Sequence, residues 1–130
     1  MTGSMRFAVL LMIAAMAPLP VSAGSGGLYG AIASTKSQYR MGYGTAGGQA
    51  DESGAVAAAI ADCEMRAGMR GVCEKHISFK DRCAAVAQGD DHTGAAEYAV
   101  SRMAAERLAV AMCQSGATHA CRIVQSFCAS

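Results

Sequence analysis

The chain has 130 residues, 52% hydrophobic and 5% aromatic, with 11 basic against 10 acidic side chains and a formal net charge of +1. That balance, with every Lys and Arg standing singly, excludes a nucleic-acid binder, which needs clustered cations to meet phosphates. It equally denies the chain an electrostatic hold on anionic lipid.

Read from the N-terminus, Arg6 gives a short positive region and Phe7 to Met16 an apolar run of about ten residues, followed by the small-residue site Val21-Ser22-Ala23. Residues 1–23 are therefore predicted to be a cleaved export signal. The apolar run is too short to span a bilayer, and Pro18 and Pro20 interrupt any longer helix, so no stable membrane insertion is expected after cleavage. No cysteine lies near the cleavage site to accept a lipid. The expected address is secreted or periplasmic.

Removing 23 of the 130 residues leaves 107, and with Arg6 gone the remainder carries ten basic and ten acidic side chains. Residues 24–27 read as a flexible Gly/Ser leader, and 28–130 as a single domain. All six cysteines, Cys63, Cys73, Cys83, Cys113, Cys121 and Cys128, fall in that domain. An even count in an exported chain of this size implies three disulfides, for which fifteen connectivities exist in principle.

The predicted elements begin with YGAIAS from Tyr29, an apolar strand, and a weaker strand around Tyr39 to Tyr43. Gly42-x-Gly44-x-x-Gly47 then matches the spacing used by dinucleotide-binding folds. That motif requires a buried parallel strand before the glycines and a helix opening inside them. Here the preceding QYRMGYG is short and polar, and Gly42, Gly44, Gly47 and Gly48 read as a strand end and a flexible turn. Asp51 is a good N-cap for an Ala-rich helix whose apolar stripe runs Val56, Ala59, Ile60, Cys63. The alternating CEKHISF from Cys73 is a strand.

The pattern then repeats. CAAVAQ from Cys83 and the stretch from Ala95 to Val100 read as strands, Ser101 caps a helix striped by Ala105, Leu108, Ala109 and Met112, and CRIVQSF from Cys121 is the last strand. Laying Cys63 on Cys113 sets Asp51 on Ser101, Ala55 on Ala105 and Ala59 on Ala109. The prediction is an α+β fold: a small disulfide-stapled domain of two strand-strand-helix-strand repeats, about 28–81 and 82–129, with helices packed on a mainly antiparallel sheet.

The repeat also selects a connectivity. Cys63 with Cys73 and Cys113 with Cys121 become equivalent staples closing helix-to-strand loops, leaving Cys83 to join Cys128 across neighbouring strands. The first unit has Tyr29 and Lys80 at the last two positions, so no fourth bridge is expected. Loop closure is worth roughly 3 kcal/mol for each short bridge and about 4 for the long one, which together rival the net stability of a small domain.

Candidate chemistry is sparse. His76, His92 and His119 stand among the cysteines without the Cys-x-x-Cys pairs of a zinc site, and no unpaired cysteine remains as a nucleophile. Asp90-Asp91-His92 reads as a solvated turn, since no further spaced oxygen ligands follow for calcium. Met65, Met69, Met103 and Met112 are expected to pack at the core or its edge. No catalytic residue, cofactor or metal is predicted.

YGAIA, the Ala-rich helix ending in cysteine, the CAAVA strand, and the second Ala-rich helix with Cys113, Cys121 and the closing SFC resemble the exported bacterial family known as domain of unknown function 4189, DUF4189, over roughly residues 28 to 128. Members often carry a Trp in the second strands, whereas this sequence has none. The resemblance implies a small secreted or periplasmic domain, some relatives of which look like secreted effector or interaction proteins, and it carries over no catalytic residue. The expected function is a non-catalytic binding module, a monomer or weak oligomer, that recognises another protein through the loops Gly42 to Ala50 and Gln88 to Gly94. The alternative is a periplasmic inhibitor or immunity protein that neutralises a toxin or cell-wall hydrolase. A minority reading is a small hydrolase using Asp91 or His92.

Overall fold

The computed structural model describes residues 27–37, 42–91, 94–116 and 120–130. The predicted export signal, His92 and His119 lie outside the described residues.

The first unit comprises β1 (Tyr29–Thr35), β2 (Tyr43–Gln49), α1 (Glu52–Ala67) and β3 (Cys73–Lys80). The second comprises β4 (Cys83–Gln88), β5 (Gly94–Ala99), α2 (Arg102–Ser115) and β6 (Arg122–Cys128). The strands form two three-stranded antiparallel sheets, ordered β2-β1-β3 and β5-β4-β6. The α+β class stands as expected, with two sheets in place of one. β1 and β4 each bond neighbours on both sides, so neither has a free edge for the other, and their inner faces can be covered only by stacking.

Side-chain alternation builds the layers. On β1, Ala31 and Ala33 turn outward onto Ala55, Ala59 and Cys63 of α1. Ile32, between them, turns inward to meet Phe79, Ala84 and Val86. On β4, Ala85 and Ala87 turn outward onto Ala105, Ala109 and Cys113 of α2. The order is helix, sheet, sheet, helix, with β2 meeting β6 and β3 meeting β5 at the edges. Alanines on both sides of the outer seams let the helices lie close to the sheets, while the larger apolar groups fill the middle. There Phe79 stacks with Tyr98 at 5.9 Å and tilts against Phe127 at 5.6 Å.

Both helices begin where the sequence places them. The Asp51 carboxylate accepts from the Gly54 N–H at 2.6 Å, and the Ser101 hydroxyl from Ala104 N–H at 3.1 Å. α1 ends at Gly68 with φ +69, and the Met69 N–H returns to the Glu64 carbonyl at 3.2 Å. Among the described residues no helix is long and apolar enough to cross a membrane.

Three expectations need correction. The second strand runs over Tyr43–Gln49, so the glycine stretch is itself a strand and not a turn; residues 39–41 of the expected strand lie outside the described residues. A Cβ on Gly44 would stand 2.7 Å from the Cys63 Cα and nearer still to Cys63 N and Ala59 O, so only glycine lets β2 pass under α1. Beyond it the β1–β2 register slips by one residue, and Gly48 adopts φ +66 at that bulge, its N–H bonding the Ala129 carbonyl at 2.7 Å. The methionines do not pack inside: Met65, Met69, Met103 and Met112 are exposed. Likewise Leu108 and Met112 leave the expected apolar stripe of α2, whose buried row is Ala105, Ala109 and Cys113. Each helix is an outer layer that fully buries one narrow row, and among the described residues its methionines lie off that row.

The disulfides join Cys63 to Cys73, Cys83 to Cys128 and Cys113 to Cys121. Cys83 and Cys128 are direct register partners with Cα atoms 3.8 Å apart. Their counterparts in the first unit, Tyr29 and Lys80, are also register partners, and there the Lys80 ammonium sits 5.5 Å from the Tyr29 ring centroid.

Candidate functional site

The end of the sandwich where β1 and β4 run out holds a cleft of about 240 Å3. Its floor is apolar, made by Ile32 and Val86 from the two central strands and by Ala95 and Ala96 from β5. Its rim is polar, made by Ser34, Tyr43, His76 and Gln88. Gly42 and Gly94, at the ends of the two hairpin connections, complete the lining.

The pseudo-repeat explains the shape, because equivalent positions meet here and differ. Ser34 pairs with Tyr43 on β2, while its counterpart Gln88 pairs with Gly94 on β5. One side of the cleft is therefore walled by a phenol ring, while on the other Gly94 lies so close to β4 that a Cβ would stand 3.2 Å from the Ala87 carbonyl carbon. A second asymmetry lies in the bulges. The β1–β3 register jumps from Ile77 to Lys75, leaving His76 as the extra residue; the β4–β6 register jumps from Gln125 to Ile123, leaving Val124. Val124 packs into the middle layer, whereas His76 is exposed at the cleft. Bulges redirect side chains in this way.

A polar network linking the units braces Tyr43. The Arg66 guanidinium lies 5.0 Å from the Tyr43 ring centroid and 3.1 Å from the Asp62 carboxylate. Asp62 also accepts the Thr45 N–H at 2.9 Å, and Arg66 reaches Gln125 at 3.4 Å, which donates to the Thr45 hydroxyl at 2.8 Å. Partial burial pulls the Arg66 pKa down, but the Asp62 carboxylate and the Tyr43 oxygen outweigh it and leave it above the ordinary value. By contrast the side chains of Ser34, His76 and Gln88 make no hydrogen bond within the protein among the described residues, so their polar ends are available to a guest.

Away from the cleft, the Asp51 carboxyl is held below its ordinary pKa by the Gly54 amide and then the Ser53 hydroxyl. Glu52 is lowered by the Ser78 hydroxyl at 2.7 Å and by Lys75 at 3.3 Å, bonds that fasten the start of α1 to β3.

The two regions expected to bind do converge, though by their ends. Gly42 and Tyr43 come from one and Gln88 and Gly94 from the other, while Thr45 to Gln49 lie in the strand. Of the three histidines only His76 is described, and Asp90 is exposed at a turn. Ser34, Tyr43 and Gln88 carry no sequence motif. The signal that could have revealed the site was mismatch between the repeats, above all Tyr43 against Gly94 and His76 against Val124.

The six cysteines are paired, so none offers a thiolate, and no three His, Cys, Asp or Glu side chains converge on a metal position among the described residues. The Gly42-x-Gly44-x-x-Gly47 motif lies on an antiparallel edge strand, and α1 opens only at Glu52, so no helix N-terminus meets a pyrophosphate there. Neither a curated protein nor a solved structure matches this chain. The family model for a domain of unknown function, DUF4189, matches residues 29–128, and with that span of agreement the chain belongs to this family.

Proposed function

We propose that the protein is an exported, non-catalytic binding module that recognises another protein with the end of the sandwich where the two hairpins meet. The observation that supports this is the cleft, where three polar side chains without internal partners surround an apolar floor on a braced scaffold. Export is supported by three disulfides in so small a domain, together with the signal-like residues 1–23.

The test is capture from the host's envelope and culture medium with the oxidised protein as bait, beside the variant Ser34→Ala/His76→Ala/Gln88→Ala. A protein retained by the parent and lost with the variant is the expected result. Equal retention by both, or turnover of a substrate by the purified parent, would refute the reading.

A further inference from the structure

We infer that the cleft receives one neutral aromatic side chain of the partner, a phenol-like ring with a polar group at its far edge, as the anchor of the interface. This rests on the binding-module reading and specifies what its site holds. Volume sets the size. A cavity of about 150 Å3 accepts benzene, so about 240 Å3 admits one six-membered ring with its substituent and the carbon that carries it.

Charge sets the class. No carboxylate, ammonium or guanidinium lines the cleft among the described residues, so an ionised guest would lose its hydration with only the His76 imidazole within reach. Shape and surface select a ring. The Tyr43 phenol and the His76 imidazole are two aromatic walls, and Ala95 and Ala96 leave the floor low enough for a flat group. The unpartnered Ser34, His76 and Gln88 can then hydrogen-bond one polar atom on the guest. Aromatic anchors seated in such pockets carry much of the binding energy of protein interfaces.

The test is an NMR titration of the oxidised protein with p-cresol, the side chain of tyrosine as a free molecule, beside 4-methylbenzoate and cyclohexanol. The expected result is a saturable shift confined to the amides of Gly94, Ala95 and Ala96 and to His76, with p-cresol bound at least about tenfold more tightly than the charged or non-aromatic probes. Ala96→Leu, which fills the floor, should abolish the shift. His76→Ala, at an exposed position, should weaken binding several-fold without changing the melting temperature. Absence of a localised shift, or equal binding of the carboxylate, would overturn the inference. Capture of a partner without any p-cresol shift would sink the anchor alone. A p-cresol site with no captured partner would sink the protein-binding reading and assign the cleft to a free phenolic ligand.

Discussion

Replacing Gly44 by alanine drives a methyl group into the backbone of α1, 2.7 Å from the Cys63 Cα and closer to Cys63 N and Ala59 O. Overpacking usually costs 1–3 kcal/mol because neighbouring side chains shift to make room. At Gly44 the obstacle is main chain. It is tethered by the Cys63–Cys73 bond and by the Asp62 carboxylate on Thr45 N–H, so relief requires lifting the helix from the sheet. The expected loss is therefore about 3 kcal/mol, a fall in Tm of about 12 °C or more for a domain this small. Gly68→Ala supplies the control: it too meets a backbone demand, at φ +69, but has nothing within 4 Å, and should cost only about 1–2 kcal/mol. Both would be read by circular dichroism melts of the oxidised protein. A Gly44→Ala melt within about 3 °C of the parent, or a smaller shift than that of Gly68→Ala, would refute the close-approach argument.

Tyr29→Cys/Lys80→Cys should form a fourth disulfide at the position that matches Cys83–Cys128, adding up to about 4 kcal/mol by the loop-closure estimate; non-reducing peptide mapping and the melting temperature would check it. Ser101→Ala should cost about 1 kcal/mol by removing the cap on Ala104 N–H, seen as a lower denaturant midpoint with unchanged slope. The folded-state pKa values of Asp51 and Glu52 are depressed below the ordinary 3.8 and 4.5, so what they contribute is present above those values and lost as pH falls through the lower folded ones. The Tm of the parent should therefore decline on acidification below about pH 4.5, and Asp51→Asn/Glu52→Gln, which keeps a capping side chain, should flatten that decline.

Elements announced by local chemistry were legible. Asp51 and Ser101 advertise helix starts because a short oxygen acceptor before an Ala-rich run has little other use, and an even count of cysteines restricts its own pairing once the repeat is seen. β2 was opaque, because glycine carries no alternation to read. What demands Gly44 is the α1 backbone, whose buried Ala59 and Cys63 lie 15 and 19 residues further along the chain. Exposure of Met65 and Met112 was hidden for a different reason: helical spacing shows which residues share a face, not how many faces find a neighbour. The cleft was least legible. Its shape follows from Tyr43 and Gly94 holding the same register position in two hairpins, and from a slipped residue that is histidine in one sheet and valine in the other.

None of the three covalent sulfur links crosses from one half of the molecule to the other: one lies within residues 29–80 and two within 83–128. Severing the backbone at Asp81-Arg82 would yield two polypeptides that share no covalent bond and must recognise each other through the Phe79 ring, the Gln125 amide on Thr45 and the Gly48 amide on Ala129. The molecule is thus a fusion of two unequal halves, one clasped once and the other twice. Complementary fragments, expressed separately, offer a way to exchange one half for a redesigned copy while retaining the other.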